Sequence, residues 1–177
     1  MNDRLWKECQ EFHGHACGGL AIGFRAAETA AELLGFDLER AEDEELVCVA
    51  ESDMCGLDCI QWMLACTVGK GNLILRPRGK TAFSFFDRRT GKGVRLVLIP
   101  FDRDRPKEEV IAEILAKPYD ELFEVKEPGF EVPEKARLFD NIVCSKCGES
   151  VREDMVRLQK GKPYCLDCFP RYDRGWM

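Results

Sequence analysis

Two Cys-x2-Cys pairs constrain this chain more tightly than any other feature. Cys144-Ser145-Lys146-Cys147-Gly148 is followed, after 17 intervening residues, by Cys165-Leu166-Asp167-Cys168. Four thiolates at that separation suit a closed tetrahedral zinc site, Cys144, Cys147, Cys165 and Cys168 being the ligands. Each pair must turn tightly and the chain between them must double back. Val151–Gln159 and Lys162–Tyr164 are therefore expected to form a hairpin around Gly161. Cys165 and Cys168 are expected to open a short terminal helix, whose dipole favours thiolate. That is the outline of a treble-clef finger, in which zinc replaces the hydrophobic core that so short a segment lacks.

Charge divides the chain at about the same place. Of 26 basic and 32 acidic residues, seven and six lie from Asp140 onward, leaving 19 and 26 in the first 139. The acidic burden sits in the larger part, which argues against a general polyanion binder there. In the tail, Arg152, Arg157, Lys160 and Lys162 are interleaved with acids, so nucleic acid is not the expected partner. The N-terminus, Met1 to Glu8, has no apolar run before its charges, and no stretch approaches the roughly 20 apolar residues of a membrane span. A cytoplasmic protein without membrane attachment is expected. Ten cysteines in a reducing compartment read as metal ligands, reactive thiols or small core residues.

The first 125 residues predict an α+β core of helices packed on a mixed or antiparallel sheet. Helices are expected from about Asp3 to Glu11 and through Leu20, Phe24, Ala27, Ala31 and Leu34, with Gly35 as the stop. Two more are expected over Leu57–Thr67 and Pro106–Lys117. Strands are expected at Glu45–Ser52, with Leu46, Cys48 and Ala50 on one face, and at Asn72–Arg76, Thr81–Asp87 and Val94–Ile99. Gly79 and the Arg89–Gly93 turn punctuate the last three as antiparallel hairpins. Residues 126–139, interrupted by Pro128, Gly129 and Pro133, read as a linker, and 140–177 as the finger domain.

The only two histidines fall in Phe12-His13-Gly14-His15-Ala16-Cys17-Gly18-Gly19. Residues two apart in an extended segment share a face, so His13, His15 and Cys17 can converge on one cation of borderline softness. A helix beginning near Gly18 puts Cys17 at its N-terminus. Ser52-Asp53-Met54-Cys55-Gly56-Leu57-Asp58-Cys59 lies at a strand-to-helix junction. There Cys55 is a fourth ligand or a nucleophile, and Asp58 caps the helix or orients a histidine. Cys59 is one helical turn beyond Cys55, as a redox dithiol partner or as a small buried residue. Cys66-Thr67-Val68-Gly69-Lys70-Gly71-Asn72 is no Walker A loop; it is an anion-binding turn or simply the turn leading into a hairpin.

Taken in order, Phe12-His13-Gly14-His15-x-Cys17, Cys55-x2-Asp58, Cys66-Thr67-x-Gly69-Lys70-Gly71-Asn72-Leu73 and the terminal finger resemble the FmdE family, named for the E-subunit of formylmethanofuran dehydrogenase. The resemblance runs from Trp6 to Leu98 and resumes at the finger. It implies an α+β core, often dimeric, with a treble-clef finger as an optional C-terminal addition. It also implies His13, His15, Cys17, Cys55 and Asp58 as the active-site group. Gly18 departs from the family's usual proline, and Cys59 from a small residue such as alanine.

The enzyme that names the family reduces carbon dioxide at a tungsten or molybdenum pterin fed by iron–sulfur clusters. This chain has no ferredoxin-type cysteine run and is small for a pterin, so it is not expected to perform that reaction alone. The expectation is a metal-binding protein with a structural zinc and a partly open core site, oxidoreductase-related by family name only. Cys17 or Cys55 would supply a thiolate, with Asp58 beside them. His13, His15, Cys17 and Cys55 could hold a second metal of unspecified identity, facing a small-molecule ligand. The alternative is a non-enzymatic regulator or accessory subunit whose finger contacts protein or nucleic acid. A third reading, a thiol–disulfide oxidoreductase, uses Cys55 and Cys59.

Overall fold

The structure is a computed structural model that describes residues 2–38 and 41–171. The chain divides into two compact units, Met1–Ala136 and Arg137–Met177. It has a mixed α+β fold with a largely antiparallel sheet, packed helices and a small cysteine-rich C-terminal cluster. Among the described residues, no helix is long and apolar enough to cross a membrane.

In the larger unit, helix α1 (Asp3–His13) starts where the Asn2 side chain accepts the Leu5 N–H, and stops at Gly14 with φ 93°. Helix α2 (Gly18–Leu34) is apolar on nearly every side. Such a helix belongs in an interior, and α2 packs against α1, α3 and α4 and over the sheet. Its Leu20, Phe24, Ala27, Ala31 and Leu34 are all buried as the periodicity requires. Strand β1 (Leu46–Ala50) leads through helix α3 (Gly56–Leu64) to β2 (Leu73–Leu75), which pairs with β1 in parallel. Strands β3 (Ala82–Asp87), β4 (Lys92–Leu98) and β5 (Phe123–Lys126) complete the sheet antiparallel, in the order β2-β1-β3-β4-β5. Helix α4 (Lys107–Ala116) and the single turn α5 (Tyr119–Leu122) precede β5.

Two expectations change. The Asn72–Arg76 and Thr81–Asp87 segments are not hairpin neighbours, because β1 lies between them and buries both of its faces. One β-α-β crossover is thus built into an otherwise antiparallel sheet. Phe123–Lys126 is a strand that the charged alternation of Glu124 and Lys126 conceals; only its register against β4 pairs its backbone. On the face of the sheet away from the helices, Val47, Val49 and Phe86 form a small second core, and Phe130 packs on Phe86 with ring centroids 5.6 Å apart. Ala136 N–H bonds the Glu44 carboxylate at 3.0 Å.

The smaller unit has two short hairpins rather than one. Strand β6 (Asn141–Val143) pairs with β7 (Ser150–Arg152) around the first cysteine pair, and β8 (Arg157–Gln159) pairs with β9 (Lys162–Tyr164) across Lys160-Gly161. Val151 and Arg152, expected to join the Gly161 hairpin, belong to the first. Residues 166–168 form a turn and 169–171 are not helical, so the expected terminal helix does not start at the second cysteine pair; residues 172–177 lie outside the described residues.

Candidate functional site

The donor atoms of His13, His15 and Cys17 lie within 4.8 Å of one another. They do not meet through an extended segment. His13 ends α1, Gly14 turns the chain in the left-handed region, and Cys17 is the N-cap of α2. Its Sγ accepts the Leu20 N–H at 3.2 Å. A helix end, a glycine and a helix cap therefore bring together what alternation was expected to align. His13 and His15 stack obliquely with ring centroids 4.6 Å apart.

Asp58 stands behind His13, with Oδ2 2.7 Å from Nδ1, while His13 Nε2 is 3.9 Å from Cys17 Sγ. A carboxylate at Nδ1 fixes that nitrogen as the N–H donor and leaves the Nε2 lone pair facing the sulfur, the arrangement of a metal-bound imidazole. Gln61 Nε2 in turn donates to Asp58 Oδ1 at 3.2 Å. The His13 side chain is only 12% exposed, whereas His15 is exposed, so the cluster is open on the His15 side. Nearby, Phe12 packs on Trp62 (centroids 5.5 Å), whose indole N–H bonds Glu8.

Cys55 is the N-cap of α3 and is not part of the three-donor cluster, but its thiol lies close enough to Cys17 to feel its charge. Desolvation, then the adjacent Cys17 sulfur, push the Cys55 thiol up. Two neighbouring sulfurs disfavour a second negative charge, and a cation between them would reverse that. What brings Cys55 here is a glycine contact. A Cβ on Gly23 would lie 2.0 Å from the Gly56 carbonyl oxygen, and one on Gly19 would touch Cys55 Cβ at 3.3 Å. The backbones of α2 and α3 cross with no room for side chains. The small-residue spacing Gly19-x3-Gly23 is the sequence signal for that crossing, and composition does not reveal it.

Other cysteines have packing roles. Cys59 is fully buried, donates to the Leu20 carbonyl at 3.3 Å, and its thiol is pushed far up by desolvation and by its hydrogen bond with Cys9. Burial removes it from exchange with solvent thiols and favours the small-core reading. Cys66 is likewise buried and pushed up to about 12 by desolvation. The Cys66–Asn72 turn spends its polar groups on backbone. Lys70 Nζ donates to the Ala41 and Asp43 carbonyls at 2.9 and 3.1 Å. Fully buried Asn72 joins Thr67 N–H to the Leu46 carbonyl. The turn is a stitch between strands, not an anion cradle.

Beside the centre, Gly18, Gly19, Arg103, Arg105, Lys107 and Ile114 help line a cavity of about 310 Å³. Three cations at alternate positions in an acidic domain were the available signal for this wall. Arg105 pairs with Glu113, and the Arg103 guanidinium lies 5.0 Å above the Phe101 ring.

In the smaller unit, the Sγ atoms of Cys144, Cys147, Cys165 and Cys168 also lie within 4.8 Å of one another. Cys165 N–H donates to Cys144 Sγ, and Cys168 N–H to Cys165 Sγ, both at 3.3 Å. Backbone N–H groups of Cys147, Cys165 and Lys146 pull the Cys144 thiol down to about 6. Cys168 is held up at about 12, first by its hydrogen bond with Cys165, then by desolvation and the remaining sulfurs. Four sulfurs this close cannot all ionise without a divalent cation, and the donor set fits zinc. Arg152 is engaged by Asp154 at 2.6 Å.

Comparison with known proteins agrees with this division. Residues 12–131 match the family model described as FmdE, molybdenum formylmethanofuran dehydrogenase operon. Residues 138–174 match the prokaryotic dksA/traR C4-type zinc finger. A probable S-adenosyl-L-methionine-binding protein of Archaeoglobus fulgidus is 30% identical over 96% of this chain. The chain spans about half (53%) of that relative's length. The crystal structure of a tungsten formylmethanofuran dehydrogenase FmdE-like protein from Syntrophus aciditrophicus shares the fold, with a TM-score of 0.66 at 21% identity, covering 93% of this chain and 90% of that one.

Proposed function

The chain belongs to the FmdE family, an FmdE-like domain fused to a C-terminal zinc-finger domain, and from that premise we propose that its core carries a metal–thiol centre serving a small anionic molecule. The observation that supports this is the three-donor cluster with Asp58 hydrogen-bonded behind His13. His13, His15 and Cys17 would hold the metal, and Cys55 is the exposed thiol beside Cys17. A metal bound there supplies Lewis acidity and lowers the pKa of an adjacent thiol. Asp58 holds the His13 tautomer, α3 holds Cys55, and Arg103, Arg105 and Lys107 attract an anionic group to the adjoining cavity. Cys17 and Cys55 are the candidate thiolates, with Asp58 as a positioning carboxylate.

Metal analysis of the full chain tests this. About two metal equivalents per chain are expected, falling to one in His13→Ala/Cys17→Ser and, separately, in Cys147→Ser/Cys165→Ser. A single equivalent in the wild type, untouched by the core substitutions, overturns the reading. The name of the Archaeoglobus relative makes S-adenosyl-L-methionine the first small molecule to titrate.

A second reading, an accessory subunit whose finger contacts protein, is favoured by exposed Val143, Leu158 and Leu166 on so small a unit. A homodimer of the core suits the hollow beside edge strand β5, lined by Leu33, Ile99, Tyr119 and half-exposed Val125. Light scattering of the full chain would read it directly.

A further inference from the structure

The sheet face away from the helices carries a second concavity, of about 440 Å³, that neither the core centre nor the finger uses. Beyond β2 the chain stays beside β1: Arg76 N–H bonds the Ala50 carbonyl at 2.8 Å, and Arg78 N–H bonds the Glu51 carbonyl at 2.7 Å. Arg76 and Arg78 are two apart on this backbone, and the chain bends at Gly79, φ 69°, before Lys80. All three line the cavity with Arg95, and Phe130 closes one side.

Internal pairing does not account for this charge. Arg95 is matched by Glu51 in a two-pronged bridge of 2.7 and 3.0 Å, and that pair is nearly buried. Glu127 is the one other acid among the lining residues, against Arg76, Arg78 and Lys80. The Arg76 guanidinium carbon lies over the Phe130 ring, 4.6 Å from its centroid, a contact that uses none of its N–H groups as hydrogen-bond donors to an acceptor atom. This excess positive charge stands in a domain whose overall balance is strongly negative. Strand β3 runs between two of the lining residues and carries a polar group that does not itself line the cavity. Ser84 is paired in register with Val49 on one side and Arg95 on the other, both cavity-lining residues. Its hydroxyl is buried and has no hydrogen-bond partner among the described residues.

We propose that this cavity binds the phosphate group of a small phosphorylated molecule, gripped by Arg76, Arg78 and Lys80. Guanidinium forks match phosphate oxygens in pairs, and Lys80 adds a point charge. Glu51 acts on Arg95 and so positions the cavity wall without touching the ligand. Arg76, Arg78 and Lys80 line one concavity of about 440 Å³, a size that suits a small molecule better than a nucleic-acid strand.

Titration calorimetry of the full chain with inorganic pyrophosphate tests the proposal. Saturable binding is expected, weakened about tenfold in Arg78→Ala and again in Lys80→Ala, and unchanged in Lys7→Ala, an exposed α1 residue that lines neither cavity. Arg78 and Lys80 are exposed, and circular dichroism with thermal melting verifies that their variants fold. Absence of saturable binding, or binding indifferent to both substitutions, overturns the proposal. So does tighter binding of a single-stranded oligonucleotide with a steep salt dependence that Arg78→Ala and Lys80→Ala flatten.

Discussion

The core centre and the finger are both compact clusters of soft and borderline donors, each within 4.8 Å, yet they stand on opposite foundations. In the finger, the only apolar residues buried among those described are Cys144 and Cys165, two of the cluster itself. A cation held by the four thiolates would stand in place of a core. Around His13, His15 and Cys17, helices α1, α2 and α3 already share a continuous hydrophobic core with the sheet. Nothing in that scaffold needs a metal to fold. Donors that the fold does not need for its stability, left open on the His15 side, are consistent with the metal–thiol centre proposed above.

The largest expected effect breaks the two apart. Chelation should unfold the finger, because the apparent binding energy of a structural zinc, on the order of 10 kcal/mol, is its folding energy. Hydrogen exchange should then lose the protection of β6–β9 while β1–β5 keep theirs. Simultaneous loss across both units would erase the contrast. Next comes Gly23→Ala, which drives a methyl group into the Gly56 backbone and should cost about 3 kcal/mol in urea unfolding of the core. The finger's metal content should not change.

Asp58→Asn sharpens the comparison without unfolding anything. It should lower metal affinity of the core centre by about 10- to 100-fold, measured by competition with a chromogenic chelator, and leave the finger's affinity as it was. Equal affinity in the variant would separate Asp58 from any role behind His13. The smallest effect belongs to Cys59→Ala. Loss of the bond to the Leu20 carbonyl and a small cavity should cost about 1 kcal/mol, with no change in thiol–disulfide titration of the chain. A lost redox couple would restore the dithiol reading.

Much of this was legible in the chain, unevenly. The buried stripe of α2 and the inner face of β1 followed from period 3.6 and period 2, because burial is what those periods report. The strand at Phe123–Lys126 was not, since an edge strand is defined by a partner's backbone and carries no pattern of its own. Asp58 was readable as a helix cap or a carboxylate for histidine, and the sequence held no reason to choose. The 2.7 Å contact is to His13, across 45 residues. The Arg76–Lys80 alternation was equally plain to see and equally mute until β2 placed it over the second face of the sheet.

By itself the sequence determined the finger's donor set and the approximate elements of the core, because ligand spacing and hydrophobic period are local properties of a chain. It also named the residues of the core centre, but for a reason the fold does not use. Tertiary structure decided how they meet: a helix end, a left-handed glycine, a thiol cap and the Gly23–Gly56 crossing that brings Cys55 beside Cys17. Close approach of two backbones depends on distant residues occupying the same space, and no one-dimensional pattern encodes that distance.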